Sequence, residues 1–279
     1  MDKRTITIVK IGGNVIDNPD SLDKFLKDFG NLRGFKILVH GGGKIVSELL
    51  KELGIEVKMY RGRRITGPET IRIATMVYAG LINKTIVATL QKNGCNALGL
   101  SGADGNCIRA NKRPPLIVGD DPEAELLCGK DNRGKTVIDW GYVGDPDSSG
   151  INSKLLGGLL ENGYSPVLSA ITHDGSGSLL NTNADTIAAN IAAALSSEYD
   201  VKLVYCFEKA GILRDPDNDD SVIPVITRDL YKKLLDGKII TGGMIPKTGN
   251  AFDALEKGVR EIYIKKAEDL LNDKGTVIK

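Results

Sequence analysis

The chain has 279 residues, 41% hydrophobic and 26% charged, with a formal net charge of +1. Those proportions are those of a soluble globular protein, and the balanced charge gives neither a basic field for nucleic acid nor an acidic tail. The length is too great for one simple core and too small for two independent domains, which suits two lobes sharing one sheet.

The opening stretch, RTITIVKI, is β-branched and predicts a strand that ends at Gly12-Gly13. NPDSLDKFLKDFGNL predicts a helix, with Pro19 in its first turn and Leu22, Phe25, Leu26 and Phe29 on one face. FKILVH is a second strand, stopped by three glycines at 41–43, and KIVSELLKELG is a helix closed by Gly54. GPETIRIATMVYAGLINKTIVATLQKNG predicts a long helix with a possible break at Gly80. The first third therefore alternates strand and helix three times, the pattern of a parallel sheet covered by helices.

Residues 103–150 are rich in Gly, Asp, Pro and short β runs, and predict hairpins and loops. The alternation then resumes: helix INSKLLGGLLENG, strand SPVLSA, helix ADTIAANIAAALS, strand VKLVYCF, and a loop EKAGILRDPDNDD. A helix over 227–235, a helix in GMIPKTGNAFDALEKG, a strand REIYIKK and a β run GTVIK complete the chain. No internal repeat or low-complexity segment is visible. The N-terminus shows no signal peptide and no apolar span of 18 residues is apparent, so a cytoplasmic protein acting on neither membrane nor nucleic acid is expected. Cys95, Cys107, Cys128 and Cys206 have no C-x-x-C spacing, which disfavours zinc and thioredoxin-like chemistry and suits a reduced compartment.

KIGG and HGGG both lie where a predicted strand meets a helix. Ligands of open α/β sheets bind beyond the carboxyl ends of strands, and glycine lets amide hydrogens approach an anion. The alternative is a pair of tight packing turns. A P-loop is excluded, because Ile45 follows Gly43-Lys44 and Leu38 holds the earlier glycine position; a Rossmann fingerprint fails at Val46. Lys10 ends the first strand and either meets an anion or extends to water. LLNTNAD sets Asn181, Asn183 and Asp185 at alternate positions before an alanine-rich helix, which serves either a ligand or an N-cap. TGGMIPKTGNA carries Lys247 into a helix, with Pro246 fitting only if the helix begins there.

In order along the chain, VKIGG, VHGGGKIVSELL, GRRIT, LLENGYSPVLSAI, LLNTNAD, AGIL and GGMIPK resemble the amino acid kinase superfamily, most closely its acetylglutamate kinase branch in arginine biosynthesis. The resemblance runs from Lys10 to the terminal GTVIK. It implies a three-layer α/β/α sandwich with a mainly parallel sheet and two lobes, 1–185 for the acyl-amino acid and dimerisation and 186–279 for ATP. It implies that Lys10 and Lys247 bracket the transferred phosphoryl group and that Asp185 holds both. Gly13, Gly42 and Gly43 would donate amides, and Arg64 and Asn181 would bind the substrate's α-carboxylate. Gly12, the loop Glu208, Lys209, Ala210, Gly211, Ile212 and Leu213, and Thr241, Gly243 and Met244 would hold ATP. Mg2+ would ride on the ATP phosphates, since no protein carboxylate cluster for a metal is evident. A carboxylate acceptor is already ionised at neutral pH, so such a site needs cations and N–H donors, not a general base.

Some features depart from the family. The nucleotide loop begins Glu208-Lys209-Ala210 where relatives have Asp-Val. VKMYRGRRIT holds Lys58, Arg61, Arg63 and Arg64, more cations than one α-carboxylate needs. They form either a solvated basic loop or a receptor for an acyl group with its own carboxylate, such as succinyl. Nine residues precede Lys10, too few for the extra helix of arginine-inhibited hexamers, so an arginine-insensitive homodimer built on the long helix is expected. Rival readings are a kinase of carrier-bound aminoadipate, carbamate, glutamate or UMP, and a catalytically silent regulatory protein; some relatives bind a nitrogen-signalling partner. His40 is expected to be structural and the cysteines buried.

Overall fold

A computed structural model of the protein describes residues 3–119, 121–130, 134–215, 217–240 and 244–279, the side chains of Pro246 and Lys247 excepted. Strand β1 (Thr5–Ile11) leads into a short helix α1 (Gly13–Asp17) and then α2 (Pro19–Asn31). Asn18 caps α2 through its side chain, and Phe25, Leu26 and Phe29 form the buried face that the sequence predicts. Then follow β2 (Phe35–His40), α3 (Gly43–Glu52), and the hairpin strands β3 (Met59–Tyr60) and β4 (Arg63–Arg64). Helix α4 (Pro68–Thr75), a π-helical segment (Met76–Ile82) and α5 (Asn83–Lys92) make one continuous rod.

The middle of the chain holds β5 (Ala97–Leu100), β6 (Asn111–Lys112), β7 (Leu116–Val118), α6 (Pro122–Cys128), β8 (Thr136–Ile138) and β9 (Val143–Asp145). After α7 (Ser153–Glu161) come β10 (Ser165–Ser169), β11 (Ile171–His173), β12 (Leu179–Thr182), α8 (Ala184–Leu195) and β13 (Asp200–Phe207). The chain closes with β14 (Val225–Ile226), α9 (Arg228–Asp236), α10 (Met244–Glu256), β15 (Glu261–Lys266) and β16 (Thr276–Ile278).

Eight strands form the central sheet in the order β14-β16-β15-β13-β1-β2-β10-β5. Only the β15–β16 contact is antiparallel, so the expected mainly parallel α/β sheet is present. Strands β1 and β13 sit side by side along their full length, from Thr5↔Asp200 to Ile11↔Cys206. Ile6, Ile8, Val9, Ile37, Leu38, Val39, Leu203 and Ile262 in these strands are all essentially fully buried, as a sheet covered on both faces requires. A second sheet, β11-β12-β9-β6, joins β6 and β9 of the middle segment to β11 and β12.

Three details differ from the sequence expectation. The third strand of the first third is not in the central sheet: residues 59–64 form the small β3–β4 hairpin, and the strand that completes the sheet edge is β5, which follows the long helix. Gly80 does not break that helix; it lies within the π-helical segment, whose wider turn absorbs the irregularity. The rod Pro68–Lys92 is also long and apolar enough to cross a membrane, contrary to the sequence reading, but here Ile71, Ile73, Ala74, Val77, Tyr78, Ile82, Ile86 and Leu90 pack into the protein core.

Beneath the Gly41–Gly43 turn, His40 is fully buried at the end of β2. Its Nδ1 lies 3.0 Å from the Gly41 carbonyl and its Nε2 3.1 Å from the Asn83 amide nitrogen. These partners fit a neutral ring that donates from Nδ1 and accepts at Nε2. Burial pushes its pKa down to about 4, with nearby Lys84 acting the same way and the Gly41 carbonyl opposing. Because the unfolded chain protonates this ring near pH 6.5, its contribution is present above that pH and is lost as pH falls towards 4. The expected loss is about 3 kcal/mol. Urea unfolding of the native chain and of His40→Asn at pH 7.5 and 4.5 checks this: the variant should be the less stable at pH 7.5, and the gap should close at pH 4.5.

Candidate functional site

A cleft of about 280 Å³ opens beyond the carboxyl ends of β1 and β2. Its lining includes Lys10, Gly12, Gly13, Gly42, Gly43, Arg64, Asn181 and Asp185, so eight residues singled out in four separate sequence motifs share one cavity. Among the described residues, four cations (Lys10, Arg63, Arg64, Arg113) and one acid (Asp185) line it, which favours anionic ligands.

The alternation of β1 places Lys10 on the face of Ile6 and Ile8, towards α8. There its Nζ lies 2.8 Å from Asp185 Oδ1, an ion-pair contact without hydrogen-bond alignment, and both side chains are only 9% exposed. Asp185 is in the first turn of α8, at the helix N-terminus expected for it, although the extended run stops at Thr182; the Asn183 side chain caps the helix by accepting from the amides of Asp185 and Thr186. Capping thus falls to Asn183, while Asp185 lines the cleft. The Lys10 ammonium also sits 5.1 Å from the centroid of the Phe207 ring.

Two helices begin at the cleft with no side-chain cap, α1 after Gly12 and α3 after Gly42. Their first amides are therefore free to donate to an anion, and their dipoles favour it. Gly42 has φ of +137°, and a Cβ there would lie 2.2 Å from Ile82 Cδ1, so glycine is required both by conformation and by the approach of the π-helical segment.

Arg64 donates from Nη2 to the Gly43 carbonyl (2.9 Å) and to Ser47 Oγ (2.7 Å), while its buried Nη1 has no partner. Burial pushes its guanidinium below the usual range, with Tyr78 opposing. Asn181 donates to Thr66 Oγ1 at 3.1 Å. Tyr78 and Arg113 also line the cleft and were not singled out from the sequence. Tyr78 is helical core by periodicity, and the π-helical turn brings its hydroxyl to 3.6 Å from where a Gly43 side chain would start. Arg113 comes from the irregular middle segment; its amide donates to the Val143 carbonyl (2.8 Å), and Val143 pairs in register with Asn181. Lys58 and Arg61 do not enter the cleft: they pair with Glu56 (3.4 Å) and Asp121 (2.9 Å).

A second cavity of about 260 Å³ lies beyond β13 and β15, lined by Glu208, Lys209, Gly211, Ile212, Leu213 and Met244, with Phe207, Ile239, Ile240 and Ile264 added by the structure. Ala210 is not part of this lining. The loop is anchored from beneath, since the Ile212 amide donates to Thr276 Oγ1 (2.8 Å). A groove along Lys10, Gly12, Gly13, Asn14, Val15, Phe207 and Glu208 shares residues with both cavities and joins them, and Asn14 and Glu208 hydrogen-bond across it. Thr241 and Gly243 lie outside the described residues. Lys247 falls in the first turn of α10, which packs on α8, and its side chain likewise lies outside the description. Among the described residues, no group of three or more His, Cys, Asp or Glu could hold a metal ion.

The sequence pattern of the Amino acid kinase family matches residues 5–266. An acetylglutamate kinase of Phocaeicola vulgatus is 48% identical over 277 residues, covering 99% of each chain. One of Cytophaga hutchinsonii is 49% identical over 273 residues, covering 97% of this chain and 96% of its own. Among solved structures, the N-acetylglutamate synthase of Neisseria gonorrhoeae, complexed with coenzyme A and N-acetyl-glutamate, superposes with a TM-score of 0.76 at 22% identity; the match spans all of this chain and 60% of the synthase, a likeness of fold. With its family pattern extending over most of the sequence and its relatives aligned nearly end to end, the chain belongs to the amino acid kinase family.

Proposed function

We propose that the protein transfers the γ-phosphoryl group of ATP to the γ-carboxylate of an N-acyl-L-glutamate, the reaction that the name acetylglutamate kinase gives to its relatives. The observation that carries this reading is the buried Lys10–Asp185 pair at the junction of a cationic cleft and a groove leading to a largely apolar cavity. Ile212, Leu213, Ile239, Ile240 and Met244 offer a surface suited to a purine, and the groove past Gly12 and Gly13 suits a polyphosphate. Mg2+ would be held by phosphate oxygens and would neutralise part of their charge.

In this reading a carboxylate oxygen forms a bond to the γ-phosphorus, the bond from that phosphorus to the bridging oxygen breaks, and ADP leaves. The oxygens of the transferred group are met by the Lys10 ammonium and by amides of the two glycine turns, which cost no reorganisation because the sheet already fixes them. Lys247 is proposed as the second ammonium. Asp185 holds Lys10 in line and lowers the repulsion between cations. Arg64, through its unpartnered Nη1, and Asn181 bind the α-carboxylate, and the Tyr78 hydroxyl adds a donor beside them. Residues 1–185 then carry the acyl-amino acid and 186–279 the nucleotide. The exposed Met76 and Leu81 on the long rod support a homodimer, acting in the cytoplasm in arginine biosynthesis.

ADP release from ATP-magnesium should depend on N-acetyl-L-glutamate or a closely related N-acyl-L-glutamate. If neither this compound nor its N-succinyl analogue supports ADP release, the reading fails. Lys10→Ala is expected to lower kcat by about 100- to 1,000-fold with smaller changes in either KM, as for loss of a donor used in the transition state. Because it also leaves Asp185 buried without its partner, thermal unfolding should be recorded on the same sample. Arg64→Lys is expected to raise KM for the acyl-amino acid by about 10-fold or more while KM for ATP stays put, since one compact ammonium cannot hold the Gly43 carbonyl and Ser47 and reach the carboxylate at the same time.

A further inference from the structure

The cleft carries more positive charge than an α-carboxylate and a phosphoryl group account for. With Lys58 and Arg61 paired elsewhere, the surplus is Arg63 and Arg113. Among the described residues Arg63 makes no hydrogen bond or ion pair through its side chain, yet it faces the cavity at the end of the β3–β4 turn. Burial and the neighbouring Arg113 both push its guanidinium down, with Asp145 opposing, and the two arginines line the same cavity.

Arg113 is held as a specificity group is held. Its side chain is 15% exposed, Nε donates to Asp145 Oδ2 at 2.8 Å and Nη2 to Oδ1 at 2.5 Å, and the guanidinium lies 5.2 Å from the Trp140 ring centroid. That leaves Nη1 free to donate. The backbone places it too: Arg113 bonds to Val143, and Val143 stands opposite Asn181, so the Arg113 and Asn181 backbones are about two strand spacings, roughly 10 Å, apart. An arginine side chain covers part of that distance, and a short acyl chain built out from the glutamate nitrogen covers the rest. Met59, Gly62 and Val143 line the intervening wall.

We propose that Arg63 and Arg113 form a receptor for a second carboxylate, so that the preferred substrate is an N-acyl-L-glutamate whose acyl group ends in a carboxylate, of the succinyl class, and not the acetyl compound. The proposal rests on the N-acyl-glutamate kinase reading above. The methyl end of an acetyl group leaves Arg63 without an anion and two guanidinium groups sharing the single carboxylate of Asp145. A terminal carboxylate supplies the missing anion and accepts charge-assisted hydrogen bonds from a pre-set fork. Asp145 acts as a positioning residue through Arg113.

Steady-state kinetics of the full chain with N-succinyl-L-glutamate and N-acetyl-L-glutamate, under identical ATP-magnesium conditions, test this. The succinyl compound should have the higher kcat/KM by about 30-fold or more, the worth of one or two hydrogen bonds to a charged group. In Arg63→Gln and in Arg113→Gln the ratio of the two kcat/KM values should fall towards one, mainly through KM of the succinyl compound; residual turnover of the acetyl compound reports that each variant is folded. Asp145→Asn should lower the same ratio less. Equal or better turnover of the acetyl compound by the native chain overturns the proposal and leaves the kinase reading standing. A ratio unmoved by both substitutions overturns the assignment to these two residues. Phosphoryl transfer to neither compound overturns the kinase reading, and this proposal with it.

Discussion

The site depends on one buried contact, the ion pair between Lys10 and Asp185. Removing two charges from water costs more than their attraction returns unless the geometry is favourable, so such a pair contributes little to stability by itself. Its cost is offset by what surrounds it: seven residue pairs of parallel ladder beside β1, a capped helix start beneath Asp185, and an aromatic face near the ammonium. The Tyr205 hydroxyl donates to the Asp185 carbonyl at 3.3 Å, so even the backbone of the acid is tied to the sheet. The arrangement fixes a cation that an incoming anion does not have to organise.

The rest of the cleft follows from where strands end. β1 and β2 are adjacent and parallel, so the glycines that follow them emerge side by side, and both following helices aim uncapped amides into the same space. The π-helical segment closes this space from one side. It sets Ile82 against Gly42 and Tyr78 beside Gly43, and Asn83, the next residue, supports His40 under the same turn. A regular α-helix would rotate these three side chains relative to one another, so the wider turn has a local purpose.

Much of this was legible in the sequence. Strand–helix alternation, glycine pairs at strand ends and an Asn-x-Asn-x-Asp run are short-range patterns, and the residues they single out do converge: Lys10, Gly13, Gly43, Asn181 and Asp185 line one cavity. What escaped is what depends on tertiary adjacency. Arg113 lies in a segment of short strands whose partner, β9, is fixed only when the second sheet assembles. Tyr78 has the spacing of an ordinary core residue. β5 was overlooked because Ala97–Leu100 is short and holds a glycine, and becomes a strand by pairing with β10 at the sheet edge. The basic loop was half understood: its cations divide, two to surface carboxylates and two to the cleft, and nothing in their order says which.

The side-by-side placement of β1 and β13 has a consequence for the chain as a polymer. The parts of the chain before and after residue 185 are not modules that could be cut apart and rejoined. A fragment ending near residue 185 would bare the flank of β1 that faces β13, leaving the backbone groups of alternate residues unpaired along a strongly apolar strand, and would recruit other chains through it. Synthesis from the ribosome passes through that exposed state until residues 200–207 emerge, so the interval before β13 docks is when the nascent chain is most open to aggregation.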